Sequence, residues 1–260
     1  LKTKRAIISV LKETRLWKGI LIKALLQWDE PVKEVVINFP AMAAKTYQRF
    51  RTDVHMIKIT NEVLKRLKKI SSPIRRARYV HKEVNKKLSS LFQDEAVQKH
   101  VSCRKGCSAC CHTQVSVSDD EAALLAKIVE NGLQIDRQKL KKQSSASQSA
   151  KTWYAVPFEE RGCVFLDDNN ECSVYNDRPS VCRTNHVVGD PKDCSTSDGK
   201  VQAVQLLNTF EADMAIMAGF GNCKKNGALP SMLFELLEKK EESSDALKPL
   251  KNISQVFKEI

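Results

Sequence analysis

The chain has 260 residues, 42 % of them hydrophobic and 28 % charged, a balance that excludes wholesale disorder and is enough for a sizeable core. Its net charge of +12 is unevenly placed: residues 1–100 carry a net +14 and residues 101–260 a net −2. All nine cysteines lie in the second stretch, an odd number in a chain too long for a small secreted disulfide scaffold.

From Ala6 to Trp28 apolar residues recur every three to four positions, the pattern of an amphipathic helix. Lys12, Glu13, Arg15, Lys18 and Lys23 interrupt the stretch, which argues against a signal-peptide core and against a membrane span. A start at Leu1 rather than Met leaves room for residues upstream. The expected setting is intracellular, in the cytoplasm, with reduced thiols. Val35–Ile37 reads as a last turn or a short strand. A second helix is expected after Pro40, running through Phe50, Val54, Val63 and Leu67 to Ile70. Ser71-Ser72-Pro73 then breaks the chain, with Ser72 as cap and Pro73 in the first helical position of a third helix carrying Val80, Val84, Leu88 and Phe92.

The polar faces of these helices hold Lys65, Arg66, Lys68, Lys69, Arg75, Arg76, Arg78, Lys82, Lys86 and Lys87. Such a field attracts polyanions, and nucleic acid, an anionic membrane surface or an acidic protein could each answer it; a solvated face kept for solubility is the competing account. No base-reading motif accompanies the patch, so nucleic acid would be held through phosphates and released by salt.

Residues 103–111 read Cys-Arg-Lys-Gly-Cys-Ser-Ala-Cys-Cys, four thiols in a loop that Gly106 frees to wrap an ion. A second group follows as Cys163, Cys172, Cys182 and Cys194. Cys163-Val-Phe-Leu, the turn residues Asp167 to Asn170 and Cys172-Ser-Val-Tyr form an expected β-hairpin with a cysteine on each arm. Shared ligation by Cys103, Cys107, Cys110, Cys111, Cys163, Cys172, Cys182 and Cys194 would close the long intervening segment around one inorganic core. Thiolates without a repeated histidine suit Zn²⁺ or an iron–sulfur cluster, and spacing does not choose between them. In an extended segment Cys110 and Cys111 would point apart, one binding while the other serves a second site or stays free. Disulfides and a single activated thiol are the alternatives to chelation.

Cys107-Ser-Ala-Cys110-Cys111, Val115-Ser-Val-Ser118, Cys163-Val-Phe-Leu-Asp, Cys172-Ser-Val-Tyr and Arg178-Pro-Ser-Val-Cys182-Arg183 together resemble the bacterial cysteine-cluster family, a zinc- or iron-chelating domain of CxxCxxCC type. The resemblance covers about residues 103–190 and implies ligand roles for Cys107, Cys110, Cys111, Cys163, Cys172 and Cys182; Cys103 lies one residue out of the pattern. One branch of that family is similar to flagellin lysine N-methylases. Membership there would imply an enzyme acting on a protein lysine with S-adenosylmethionine. No Gly-rich nucleoside loop follows a strand in this sequence, and no catalytic residue is indicated.

Around the cluster, Ser118-Asp-Asp-Glu121 is a capping-box start to a helix that Asn131-Gly132 ends. Residues 138–151 read as a linker or exposed helix, and Trp153 and Tyr154 as a cover for the metal loop or as core. A helix from Val201 to Met217 is ended by Gly219, Gly221 and Asn222. Glu211 and Asp213 on it are candidate bases or oxygen ligands, or merely solvated. A last helix spans Pro230 to Lys240 before a loose charged tail. Arg178 and Arg183 are expected to offset the thiolates' charge or to pair at the surface with Asp177 or Asp167.

The fold class so read is mainly α, with basic N-terminal helices over 1–100 and a small α+β cysteine-cluster domain with a short β-hairpin over 101–225. A C-terminal helix and tail occupy 226–260. The expected function is metal binding, structural or redox, with the basic residues of 65–87 docking on a protein or polyanion.

Overall fold

The computed structural model describes residues 48–104, 106–188, 190–197 and 204–246, all within one compact unit, Ile37–Ile260. The expected helix at Ala6–Trp28, the turn or strand at Val35–Ile37 and the tail beyond Ala246 lie outside these residues.

Asp53 opens the first long helix, α1 (Val54–Leu67), by accepting from the backbone N–H groups of His55 and Met56. That cap divides the helix expected from Pro40 to Ile70: Arg51 and Thr52 form a turn, and the apolar stripe Ile59, Val63, Leu64 and Leu67 begins only after it. Helix α2 (Pro73–Leu91) starts as its sequence predicts, with Ser72 as cap and Pro73 where no N–H is needed. It buries Ala77, Val80, His81, Val84 and Leu88. A short α3 (Glu95–His100) follows, capped by Asp94.

After a 3₁₀ turn at Ala109–His112, β1 (Ser116–Ser118) runs into α4 (Asp119–Glu130), whose capping box between Ser118 and Glu121 is complete. Gly132, with φ of 112°, ends that turn in a conformation open to glycine. The segment read as a linker or exposed helix is α5 (Arg137–Ala146), with Leu140 and Gln143 buried, followed by α6 (Ala150–Tyr154) and α7 (Phe158–Arg161).

The expected hairpin closes through a single bridge between Leu166 and Cys172. Asp167 Oδ1 accepts from the N–H groups of Asn169 and Glu171, and Asn170 sits at φ of 58°, so the chain reverses too tightly for ladders to extend. Regular pairing occurs elsewhere. After α8 (Ser180–Thr184), β2 (Val187–Val188) pairs antiparallel with β3 (Gln205–Leu206). β1 pairs antiparallel with β4 (Asn226–Ala228), which leads into the final helix, α10 (Leu229–Ala246).

Before β4, α9 (Phe210–Asn222) occupies part of the stretch expected to be helical from Val201. The start moves because Gln205 and Leu206 are taken up by pairing with β2, and Asn208 accepts from the Phe210 N–H. The helix ends at Asn222 as expected, with Gly219 and Gly221 inside its last turn; a Cβ on Gly219 would stand 3.2 Å from a Val80 methyl, so the glycine permits close approach of α2. Helices α1 and α2 pack on α9, and α2 also packs on α4. The main core forms where α4, α5 and α10 meet, around Val117, Leu125, Leu140, Phe165, Leu233 and Leu237. Mainly helical with small antiparallel pairs, the architecture matches the fold class read from the sequence. Among the described residues no helix is long and apolar enough to cross a membrane.

Candidate metal centre

The first cysteine group is shaped by backbone turns. Gly106 has φ of 81°, and the Cys107 N–H donates to the Arg104 carbonyl at 3.0 Å. Cys110 and Cys111 sit in the 3₁₀ turn Ala109–His112, closed by Cys111 N–H to Ser108 O at 2.8 Å. This corrects the expectation for the adjacent pair: the segment is a turn, not extended, and both thiols line the same cavity. Trp153, only 2 % exposed, donates from Nε1 to the His112 carbonyl at 3.1 Å, and His112 stacks flat on Phe158 at 4.0 Å. The tryptophan is thus both core and cover.

A backbone bond joins the two groups: the Cys163 N–H donates to the Cys111 carbonyl at 2.9 Å. Gln143, buried on α5, donates to the carbonyls of Glu160 and Gly162 and so fixes the approach to Cys163. Cys172 stands at the hairpin bridge, and Cys182 on α8 just beyond Pro179. The Cys103 sulfur accepts from the Val187 N–H at 3.2 Å and faces the Asn185 carbonyl at 3.7 Å.

Seven cysteines, Cys103, Cys107, Cys110, Cys111, Cys163, Cys172 and Cys182, therefore line one cavity of about 500 Å³. Its apolar wall includes Val115, Trp153, Phe165, Val174 and Leu229. Cys194 ends a 3₁₀ turn at Pro191–Cys194 beside the Ala109–His112 turn and is not part of this lining. Cys223 caps α9, where its thiol donates to the Phe220 carbonyl. None of the nine is in a disulfide.

Burial governs the thiols. It pushes Cys163 up to about 11 and Cys182 well above the ordinary thiol value. Cys103 and Cys172 are raised for the same reason, opposed by the Val187 and Val174 N–H groups. Cys110 moves the other way, because the Cys111 thiol donates to it, and Cys111 is correspondingly raised.

Two guanidinium groups stand in the same wall. Arg161 is 2 % exposed; it donates to the Thr196 hydroxyl and carbonyl and lies against the Tyr154 and Phe158 rings. Arg178 stacks on Tyr175 at 3.8 Å and donates to the Tyr175 carbonyl. Neither forms an ion pair with a carboxylate among the described residues, so Arg178 is not the surface partner of Asp177 or Asp167. Arg78 takes Asp177 instead. A buried cation such as Arg161 without a counterion is costly, and thiolates holding a metal would supply the compensating negative charge. Donor chemistry and wall charge both fit zinc or iron. Among the described residues no group of three or more His, Cys, Asp or Glu is arranged so that it could hold a metal ion.

Arg183 pairs with neither Asp177 nor Asp167 among the described residues, while its charge works against the burial that raises the Cys172 pKa, as the expected offset of thiolate charge requires. It is 2 % exposed and donates to the Arg178 and Asn176 carbonyls, to Asn85 Oδ1 at 3.0 Å and to His81 Nδ1 at 3.3 Å. It braces α8 to α2. Glu211 bridges His55 and Lys87, and Asp213 accepts from the Thr209 hydroxyl, so both are engaged in structural contacts. The wall residues Arg161, Gln143 and Asn185 had no motif to announce them; only the buried position of Gln143 on the period of Leu140 offered a local signal.

Residues 102–208 match the family model CxxCxxCC, described as "Putative zinc- or iron-chelating domain". The match spans every cysteine of the cavity and bears out, for that segment, the family resemblance carried by the motifs. No curated protein and no solved structure matches the chain.

Proposed function

We propose that this protein holds a zinc or iron centre on the thiolates of Cys103, Cys107, Cys110, Cys111, Cys163, Cys172 and Cys182. The observation that carries the reading is the convergence of these seven side chains from separate turns on a single cavity. When bound, the metal would supply Lewis acidity or electron transfer and tie the turns together; the residues would bind it, exclude water with Trp153 and Phe165, and offset the thiolates' negative charge with Arg161 and Arg178. The comparisons add nothing to the expectation of a methylase. Metal-to-protein ratio by elemental analysis of anaerobically purified chain, with the absorption spectrum, tests the reading. Iron with visible absorption or zinc without it supports it; a metal-free native protein overturns it.

The basic region is proposed to engage a polyanionic or acidic partner. Of its ten cations, Arg76, Arg78 and Lys87 are occupied by Asp120, Asp177 and Glu211. Lys65, Arg66, Lys68, Lys69, Arg75, Lys82 and Lys86 remain exposed on α1, α2 and their junction, with no ion pair among the described residues. Retention on heparin that fades with salt and is lost on Lys-to-Gln replacement at 68, 69, 82 and 86 tests this.

A further inference from the structure

Tyr175 is 59 % exposed, and among the described residues only it and Val54 are large hydrophobic side chains left so open. The Arg178 guanidinium covers one face of its ring at 3.8 Å from the centroid and also donates to the Tyr175 carbonyl. The backbone beneath is held in place. The Tyr175 N–H donates to the Cys172 carbonyl at 3.0 Å, and buried Arg183 donates to the Asn176 and Arg178 carbonyls. With one face covered and the side chain this exposed, the other face is left to solvent.

This turn lies against the basic stripe of α2. Arg75, Arg78, Lys82 and Lys86 recur three, four and four residues apart, which puts them on one side of the helix over about 16 Å. Arg78 meets Asp177 at 3.2 Å, and Arg183, which holds the Asn176 carbonyl, also reaches His81 and Asn85. Positions 78, 81 and 85 are therefore the edge of α2 beside the turn, and Lys82 stands next to that edge. Asp177, the carboxylate at this junction, is taken up by Arg78. Arg75, Lys82 and Lys86 are exposed and have no ion pair among the described residues.

An open aromatic ring backed by a cation and bordered by a row of cations suits single-stranded nucleic acid. Phosphates meet the row, and a base of any identity stacks on the ring, so no base-reading motif is needed. An acidic peptide or an anionic lipid surface answers the charges alone.

We propose that Tyr175, Arg178 and the α2 stripe together bind single-stranded nucleic acid, with a base stacked on Tyr175 and the neighbouring phosphates on Arg75, Lys82 and Lys86. The inference rests on the polyanion reading of the basic region and narrows it to one class of partner. It also sets the stacked base beside the cysteine cavity, which Tyr175, Asn176 and Arg178 line.

The test measures binding of the full chain to a fluorescent oligothymidylate by anisotropy, with an abasic strand of the same length, heparin and polyglutamate as comparisons. Support is salt-sensitive binding of the strand that weakens about tenfold in Tyr175→Ala, is kept in Tyr175→Phe, and leaves heparin binding unchanged in both. The abasic strand reads the same contact on the unaltered chain, and it too should bind about tenfold more weakly. Equal affinity of parent and Tyr175→Ala for the strand, or of the parent for intact and abasic strands, overturns the inference. A loss in Tyr175→Ala that heparin shares gives the ring a structural role and overturns it as well. Heparin bound without the strand, or polyglutamate bound more tightly than the strand, overturns it and leaves the polyanion reading standing. A chain that binds none of these polyanions overturns both.

Discussion

Arg183 donates from Nη2 to Nδ1 of His81 at 3.3 Å, across 102 residues of sequence. A guanidinium has no acceptor, so Nδ1 is the unprotonated nitrogen of the ring. Nε2 therefore carries the proton and donates to Glu121 Oε1 at 3.2 Å. Glu121 Oε1 also accepts from the Ser180 N–H at 2.7 Å, and Oε2 from the Ser118 N–H at 3.2 Å. One buried chain of hydrogen bonds thus joins α2, the capping box of α4 and the start of the helix bearing Cys182.

Breaking that chain leaves buried polar groups without partners. Arg183→Lys loses the planar fork, and Glu121→Ala strands two backbone N–H groups. Each is expected to destabilise the protein by about 3 kcal/mol, measured by denaturant unfolding. An effect below about 0.5 kcal/mol in both variants contradicts a connected network.

Glu121 also predicts an acid limb. Burial by itself raises its carboxyl pKa, but the hydrogen bonds from His81, Ser180 and Ser118 outweigh burial and hold the group at about 2. A depressed pKa contributes stability above the ordinary value of 4.5 and loses it as pH falls through about 2. Unfolding midpoints measured from pH 5 downward should fall over that window, and less steeply in Glu121→Gln.

At the alkaline end the thiols of the metal-free chain act in the opposite sense. Cys163 is raised from 9.0 to about 11 by burial, so the folded state favours the neutral thiol. Its contribution is present below pH 9 and is lost as pH rises toward 11. Metal replaces the protons on the thiols, so the loaded chain should lack this loss and should release protons on uptake at neutral pH. Thermal melts of loaded and metal-free chain at pH 8 and pH 10 compare the two directly.

Shared ligation makes a further demand. Cys107→Ser and Cys172→Ser, in different segments, are each expected to lower metal content and to speed hydrogen exchange in both the 109–112 turn and the 166–172 hairpin. Exchange that quickens only around the replaced residue indicates two independent sites.

Much of the local structure was legible because its causes are local. Ser72-Pro73, Ser118 with Glu121, and Asn131-Gly132 mark helix ends through caps and φ preferences that act within a few residues. The helix expected at Val201 failed where a distant strand, β2, claimed Gln205 and Leu206. The ten-cation face was only partly legible, since Asp120, Asp177 and Glu211 meet Arg76, Arg78 and Lys87 through packing and not through proximity in the chain.

By itself the sequence determined the chemistry on offer: thiols in two dense groups, a basic helical stretch kept apart from them, and turns placed by glycine, proline and capping serine. Only the tertiary structure decided that Cys110 and Cys111 face one cavity, that the Cys163 N–H meets the Cys111 carbonyl, and that Arg183 is buried against His81. The physical reason is range. Caps and periodicity act over one helical turn, whereas a cavity wall and a buried hydrogen-bond chain exist only after segments far apart in sequence have packed and excluded water.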